Sequence, residues 1–141
     1  MKAIPFKAEH IDLIPSLNCQ PTFGVSMVGS NLGILEGQHS YTAIDGDEIL
    51  GCMGVHEMWS GRGLAWAILS AGIGPKRIIE LTEMCIRYFD FSPFNRLEAD
   101  VVYEFRKGHK WAKRLGFTVE TDYMKNYFPD GSAATRYVRL R

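Results

Sequence analysis

Residues 70–77 read Ser70-Ala71-Gly72-Ile73-Gly74-Pro75-Lys76-Arg77 and lie directly before a run with helical periodicity. The first turn of a helix has backbone N–H groups without partners and a partial positive charge, so it attracts anions. Glycines let the backbone come close to such an anion, and Lys76 and Arg77 add formal charge. The chemistry indicated is a cradle for a phosphate group. The plain alternative is a Gly-rich turn from strand to helix, opened by Pro75 where no N–H is needed. Among the many residues able to carry protons, His56, Glu57, Tyr103 and His109 are candidates. Side chains alternate along a strand, so His56 and Glu57 face opposite ways and at most one points into a given cleft. Each of these also has a plainer reading. Glu57 can be a surface carboxylate, His56 a half-buried histidine, and His109 a structural residue of Gly108-His109-Lys110-Trp111.

Other chemistries find little support. Cys19, Cys52 and Cys85 are odd in number and widely spaced, with no C-x-x-C pair. None of the four histidines stands at ligand spacing with a cysteine or another histidine, so no metal site is expected. Cys52 lacks a His–Asp partner pattern and reads as a buried free thiol. Reduced thiols fit a cytoplasmic protein, made and kept inside a cell or packed into a particle assembled there. Sixteen basic and sixteen acidic residues give zero net charge, which argues against broad capture of nucleic acid. The basic set Arg106, Lys107, Lys110, Lys113 and Arg114 is expected to be a solvated helix face. No run approaches the roughly 20 apolar residues of a membrane span, and the start lacks a signal-peptide core.

The 141 residues suit one domain, 1–141. A short strand is predicted over 2–6 and a helix over 8–17, with its end in doubt at Pro15. Residues 18–39 are rich in Gly, Ser and Asn and read as loops. Strands over 40–44, 49–59 and 64–69 form a meander, joined by Asp45-Gly46-Asp47 and by Ser60-Gly61-Arg62-Gly63. A helix over 76–89 places Ile78, Ile79, Thr82, Cys85, Ile86 and Phe89 on one face. A strand over 96–102 alternates Leu97, Ala99 and Val101 with Glu98, Asp100 and Val102. A second helix over 104–115 buries Phe105, Gly108, Ala112 and Leu115, and Gly116 ends it. Strands over 117–127 and 134–140 flank a turn at Pro129-Asp130-Gly131. Strands on either side of a helix suggest a parallel pair within a mostly antiparallel sheet.

This order resembles the GNAT (N-acetyltransferase) fold: an α/β domain whose mixed sheet has a central parallel pair and helices on both faces. Lys113-Arg114-Leu115-Gly116-Phe117 looks like the family's turn after the last helix. Arg96-Leu97-Glu98-Ala99-Asp100, Ala65-Trp66-Ala67-Ile68-Leu69 and Tyr127-Phe128-Pro129-Asp130-Gly131 resemble phage and prophage acetyltransferase-like proteins and podophage internal-virion proteins. The resemblance implies transfer of an acetyl group from acetyl-CoA to an amine by direct attack. It implies that Ile68, Leu69 and Ser70 offer strand amides to the pantetheine arm, and that Ala71, Gly72, Ile73, Gly74, Lys76 and Arg77 hold the pyrophosphate. It places candidate bases at His56 and Glu57. The sequence departs from the family where no Gln or Arg precedes the glycines, and where Ala112 stands in place of a general-acid tyrosine. Tyr103 and His109 are the replacements at hand. A second reading, a GNAT-shaped structural or assembly protein of a phage particle, stays open, with virion proteins as partners. The acceptor amine is expected to be shaped by residues 18–39 and 124–130.

Overall fold

The computed structural model describes residues 1–14 and 32–141. Seven strands make one sheet: β1 (Lys2–Pro5), β2 (Ser40–Asp45), β3 (Glu48–Trp59), β4 (Arg62–Leu69), β5 (Arg96–Val102), β6 (Thr118–Met124) and β7 (Ala134–Leu140). Their order across the sheet is β1-β2-β3-β4-β5-β7-β6. Helix α1 (Pro75–Phe91) connects β4 to β5, and α2 (Arg106–Arg114) connects β5 to β6. All neighbours are antiparallel except β4 and β5, which run parallel with Arg62 opposite Arg96, Gly63 opposite Leu97 and Leu64 opposite Glu98. The expected parallel pair with a helical crossover is therefore present, and the architecture is the mixed α/β one read from the sequence.

Alternation along β4 assigns the two faces. Ala65 and Ala67 join Leu97, Ala99 and Val101 in a core with Phe89, Ala112, Leu115 and Phe117, so α1 and α2 cover this face. Trp66, with Cys52, packs on the other face against Phe6, Ile11, Ile14 and Leu35. Among the described residues, the cover there includes two short 3₁₀ helices, Ala8–Leu13 and Leu32–Leu35. The helix expected over 8–17 is thus a 3₁₀ helix that ends at Leu13. The rest of that segment, Cys19 and most of the expected loops of 18–39 lie outside the described residues.

One further expectation needs correction, and one strand carries more than its pattern showed. Of the face expected for α1, Ile78, Thr82, Cys85, Ile86 and Phe89 do dock, but Ile79 is 57% exposed and Leu81, 1% exposed, takes its place. The helix carries apolar residues around more than half its circumference, so periodicity alone left its rotation undetermined. Along β5 the expected alternation holds, and Glu98 and Asp100 on the other face are as buried as the apolar residues between them. Arg62, Arg96 and Arg136 cover them on the face that α1 and α2 leave open.

The turn after α2 explains its own sequence. Gly116 has φ +90, a conformation that glycine adopts without a Cβ penalty. Its N–H and that of Phe117 close the helix on the carbonyls of Lys113 and Ala112. Leu115 and Phe117 are then driven into the core, each 3% exposed.

Candidate functional site

The pairing between β4 and β5 stops at Leu64 and Glu98, although both strands continue. From Ala65 and Ala99 onward they diverge, leaving a fork in the middle of the sheet. In the paired part the strands lie about 4.8 Å apart and satisfy each other's backbone groups. In the fork, β4 and β5 no longer pair with each other. The closed end lies at Leu64, and the open end lies where β4 finishes at Leu69.

The Gly-rich segment sits at that open end. The Ser70 N–H donates to the Leu50 carbonyl at 2.8 Å, fixing the exit of β4 against β3. The loop then turns into α1 through Gly74, whose φ is +78. The Ile78 N–H makes the first helical bond, to the Gly74 carbonyl at 3.1 Å. The amides of Lys76 and Arg77 precede that bond, and Pro75 has no N–H to contribute. A Cβ added at Gly72 or Gly74 would meet nothing within 4 Å, so the loop has open space above its backbone. Lys76 is exposed.

Arg77 is placed differently from its neighbour. Its Nε donates to the Ile73 carbonyl at 2.8 Å and its Nη2 to the Gly72 carbonyl at 3.3 Å. Its Nη1 pairs with Glu48 at 2.8 Å and lies 3.7 Å from Asp45. The guanidinium therefore clasps the loop from behind and ties it to the turn between β2 and β3. Drawing the carbonyls toward Arg77 leaves the opposite side of the loop to its amides, of which that of Gly72 makes a long bond to the Ser70 hydroxyl at 3.4 Å.

The proton-carrying residues are scattered. His56 lies opposite Leu64 and hence in one row with the closed end of the fork, on the face away from α1 and α2. It is half-buried, while Glu57 points to the other face and is exposed. Tyr103 stands beyond the end of β5, near the mouth, with its ring edge against Tyr123. His109 has both ring nitrogens engaged: Nε2 lies 2.7 Å from the Tyr103 carbonyl and Nδ1 2.8 Å from the Tyr137 hydroxyl. A carbonyl only accepts, so Nε2 carries the proton and Nδ1 receives the hydroxyl's. Ala112 is fully buried within the core beneath α2.

A charged cluster not anticipated from the sequence lines the open face beside the fork. Asp100 is fully buried and receives two bonds from Arg136, at 2.9 and 3.0 Å, and one from the Tyr127 hydroxyl at 2.5 Å. Burial, and then the neighbouring Asp100 carboxylate, push the Tyr127 phenol up to about 12. Glu98 takes a bidentate pair from Arg62 and a further bond from Arg96. Burial alone would raise the Glu98 carboxyl, but these two arginines outweigh it and hold it below the usual range. The regular alternation of β5 was the signal present in the sequence. What it lacked was any indication that arginines from β4 and β7 would close over the acidic face. Between this cluster and the 3₁₀ helices lies Trp66, two residues past the last paired position. Its indole N–H is buried and has no partner among the described residues.

A sheet forked between its parallel strands, with a Gly-rich turn at the mouth, is the architecture of GNAT acetyltransferases, and solved structures bear the fold out. The chain is similar to a GNAT-family acetyltransferase from Bacillus anthracis, with a TM-score of 0.59 at 14% identity over 72% of this chain and 66% of that one. It is similar to the Salmonella typhimurium acetyl transferase that modifies the N-terminal serine of a 50S ribosomal subunit protein, with a TM-score of 0.59 at 17% identity over 72% and 63%. The microcin C7 self-immunity acetyltransferase MccE, solved with acetyl-CoA and AMP, matches with a TM-score of 0.55 at 18% identity over 67% and 56%. The chain thus spans less than two thirds of the length of these structures. No protein-family model matches the chain, and no curated protein matches it. These matches give the phage-particle reading no support.

Proposed function

We propose that the chain is an acyl-CoA-dependent N-acyltransferase that moves an acetyl group from acetyl-CoA to an amine. The observation that carries this reading is the fork between β4 and β5 with the Gly-rich loop at its mouth. Acetyl-CoA supplies the acetyl group as an activated thioester. Of Ile68, Leu69 and Ser70, Leu69 turns its backbone groups toward the fork to hold an amide-bearing arm, while the Ser70 N–H is already bonded to the Leu50 carbonyl and alternation turns those of Ile68 toward β3 as well. The amides of Ala71, Gly72, Ile73 and Gly74, those of the first turn of α1 and the Lys76 ammonium supply the positive field a pyrophosphate needs. Arg77 keeps that loop in shape rather than meeting the anion. The open space at Gly72 and Gly74 fits a bulky anion seated on the backbone.

Direct attack requires a neutral amine, so an ammonium proton must be removed, and the departing thiolate must gain one. Of the four candidates, His56 suits the first task best. It shares a row with the closed end of the fork, about 5 Å to the side at strand spacing, and faces the side that α1 and α2 leave open. An imidazole nitrogen is a group that can take a proton from an amine. Glu57 lies on the opposite face, and Tyr103 sits several residues along β5 toward the mouth, at about 3.3 Å per residue. The bonds of His109 make it a brace between β5 and β7. The buried Trp66 N–H adds a donor beside the fork for an oxygen brought there.

Titration calorimetry with CoA and acetyl-CoA tests the reading, followed by acetylation of a panel of protein and small-molecule amines. Binding of both, and transfer that His56→Ala lowers by about 10²–10⁴-fold without weakening acetyl-CoA binding, is the expected result. Saturating CoA that gives neither heat nor a thermal shift would overturn it and leave a non-catalytic protein of GNAT shape.

A further inference from the structure

The sheet surface beneath α1 carries unusually short side chains close to the fork. Ala43, Ala65, Ala67 and Ala99 all lie on this face, and Met84 and Cys85 of the helix above them line the space between. The result is a cavity of about 180 Å³ between sheet and helix. Ala65 and Ala67 belong to the first three β4 residues past the last paired position, and Ala99 is the first such residue of β5. The cavity therefore borders the closed end of the fork, where the reactive end of a bound thioester would arrive.

The polar side-chain groups of its lining residues are bonded or turned away, Trp66 packing its indole on the opposite face of the sheet. The Tyr41 hydroxyl donates outward to the Gln38 carbonyl at 3.0 Å, and the Tyr88 hydroxyl is bonded to His39. The Trp111 indole N–H donates to Thr82 at 2.8 Å, and the Cys85 thiol contacts the Met53 sulfur at 3.7 Å. A water needs two or more polar partners, so such a space stays dry and favours an apolar guest. For scale, a dry protein cavity of about 150 Å³ accepts benzene. We infer that this cavity receives the apolar tail of an acyl group, so that the acyl donor of this site extends to linear chains of roughly four to six carbons. The inference rests on the acyl-CoA reading of the fork and names the donor class that reading leaves open.

The test compares CoA, acetyl-CoA, butanoyl-CoA and hexanoyl-CoA by calorimetry and thermal shift on the full chain. Affinity should rise from acetyl to hexanoyl by about 10- to 100-fold, given the transfer of several methylenes out of water. Cys85→Phe fills the cavity from the helix side without touching the fork, and should remove the hexanoyl advantage while acetyl-CoA binds as before. Met84→Phe repeats the test from the neighbouring position should the first variant fail to fold, and the wild-type series stands without either. Equal or weaker binding of hexanoyl-CoA by the wild type overturns the inference and leaves the acetyl-transfer reading intact. A hexanoyl advantage that survives in a folded, cavity-filled variant overturns it as well, because the chain then lies elsewhere. Failure of every CoA compound to bind removes both the inference and the reading beneath it.

Discussion

Replacing Gly72 by glutamate separates a defect in binding from a defect in folding. The position is exposed, an added Cβ would meet nothing within 4 Å, and its backbone is not in the positive-φ region. The fold should therefore tolerate the change within about 0.5 kcal/mol, as is usual for a surface site. The effect on an anion should be large. A carboxylate held about 5 Å from a phosphate, at an effective dielectric near 40, opposes it by roughly 1.5–2 kcal/mol. Against the two charges of a pyrophosphate the sum is roughly 3 kcal/mol, or about 100-fold in affinity. The steric bulk adds to that. Calorimetry with CoA should show this loss in Gly72→Glu, while circular dichroism shows an unchanged melting temperature. Gly74→Ala is the informative contrast. With φ +78, an L residue there costs about 1–2 kcal/mol of stability without adding a charge. Equal CoA affinity in wild type and a folded Gly72→Glu protein would refute the placement of the pyrophosphate on this loop.

Leu115→Ala and Phe117→Ala should each lower stability by roughly 2–5 kcal/mol in denaturant titration, since both side chains are buried. Losses below about 0.5 kcal/mol would contradict their packing under α1 and α2. Glu98→Gln should cost about 2 kcal/mol at pH 7, the low end for a buried pair because Arg62 and Arg96 are partly exposed. The folded Glu98 carboxyl titrates below its unfolded value of about 4.3. Its contribution is thus complete above that value and lost as pH falls through the folded one. Stability curves of wild type and variant should converge in acid, and a gap that persists unchanged at pH 2 would count against it. Burial raises the Cys85 thiol to about 12, and burial, offset in part by Thr42, raises Cys52 to about 11. Alkylation at pH 8, followed by mass spectrometry, should leave both unlabelled in the native protein and labelled after unfolding.

The sequence by itself determined the element order, the strand–helix–strand crossover and the turn at Gly116. These depend on local signals: alternation in strands, helical periodicity, and glycines where the chain must turn. It also marked the loop from Ser70 to Arg77, because glycine and proline constrain a backbone wherever they stand. The tertiary structure decided what each charged group in that region does. Arg77 became a clasp on the loop through Glu48 and two carbonyls, since β2 and β3 end beside α1. Glu98 and Asp100 became buried because arginines distant in sequence lie in adjacent strands. His109 became a brace, as Tyr137 of β7 faces α2 across the sheet. The fork and the cavity could not be read from sequence at all. Where two parallel strands part, and how far a helix stands above small side chains, depends on how separate surfaces fit. No residue carries that information in its own local pattern.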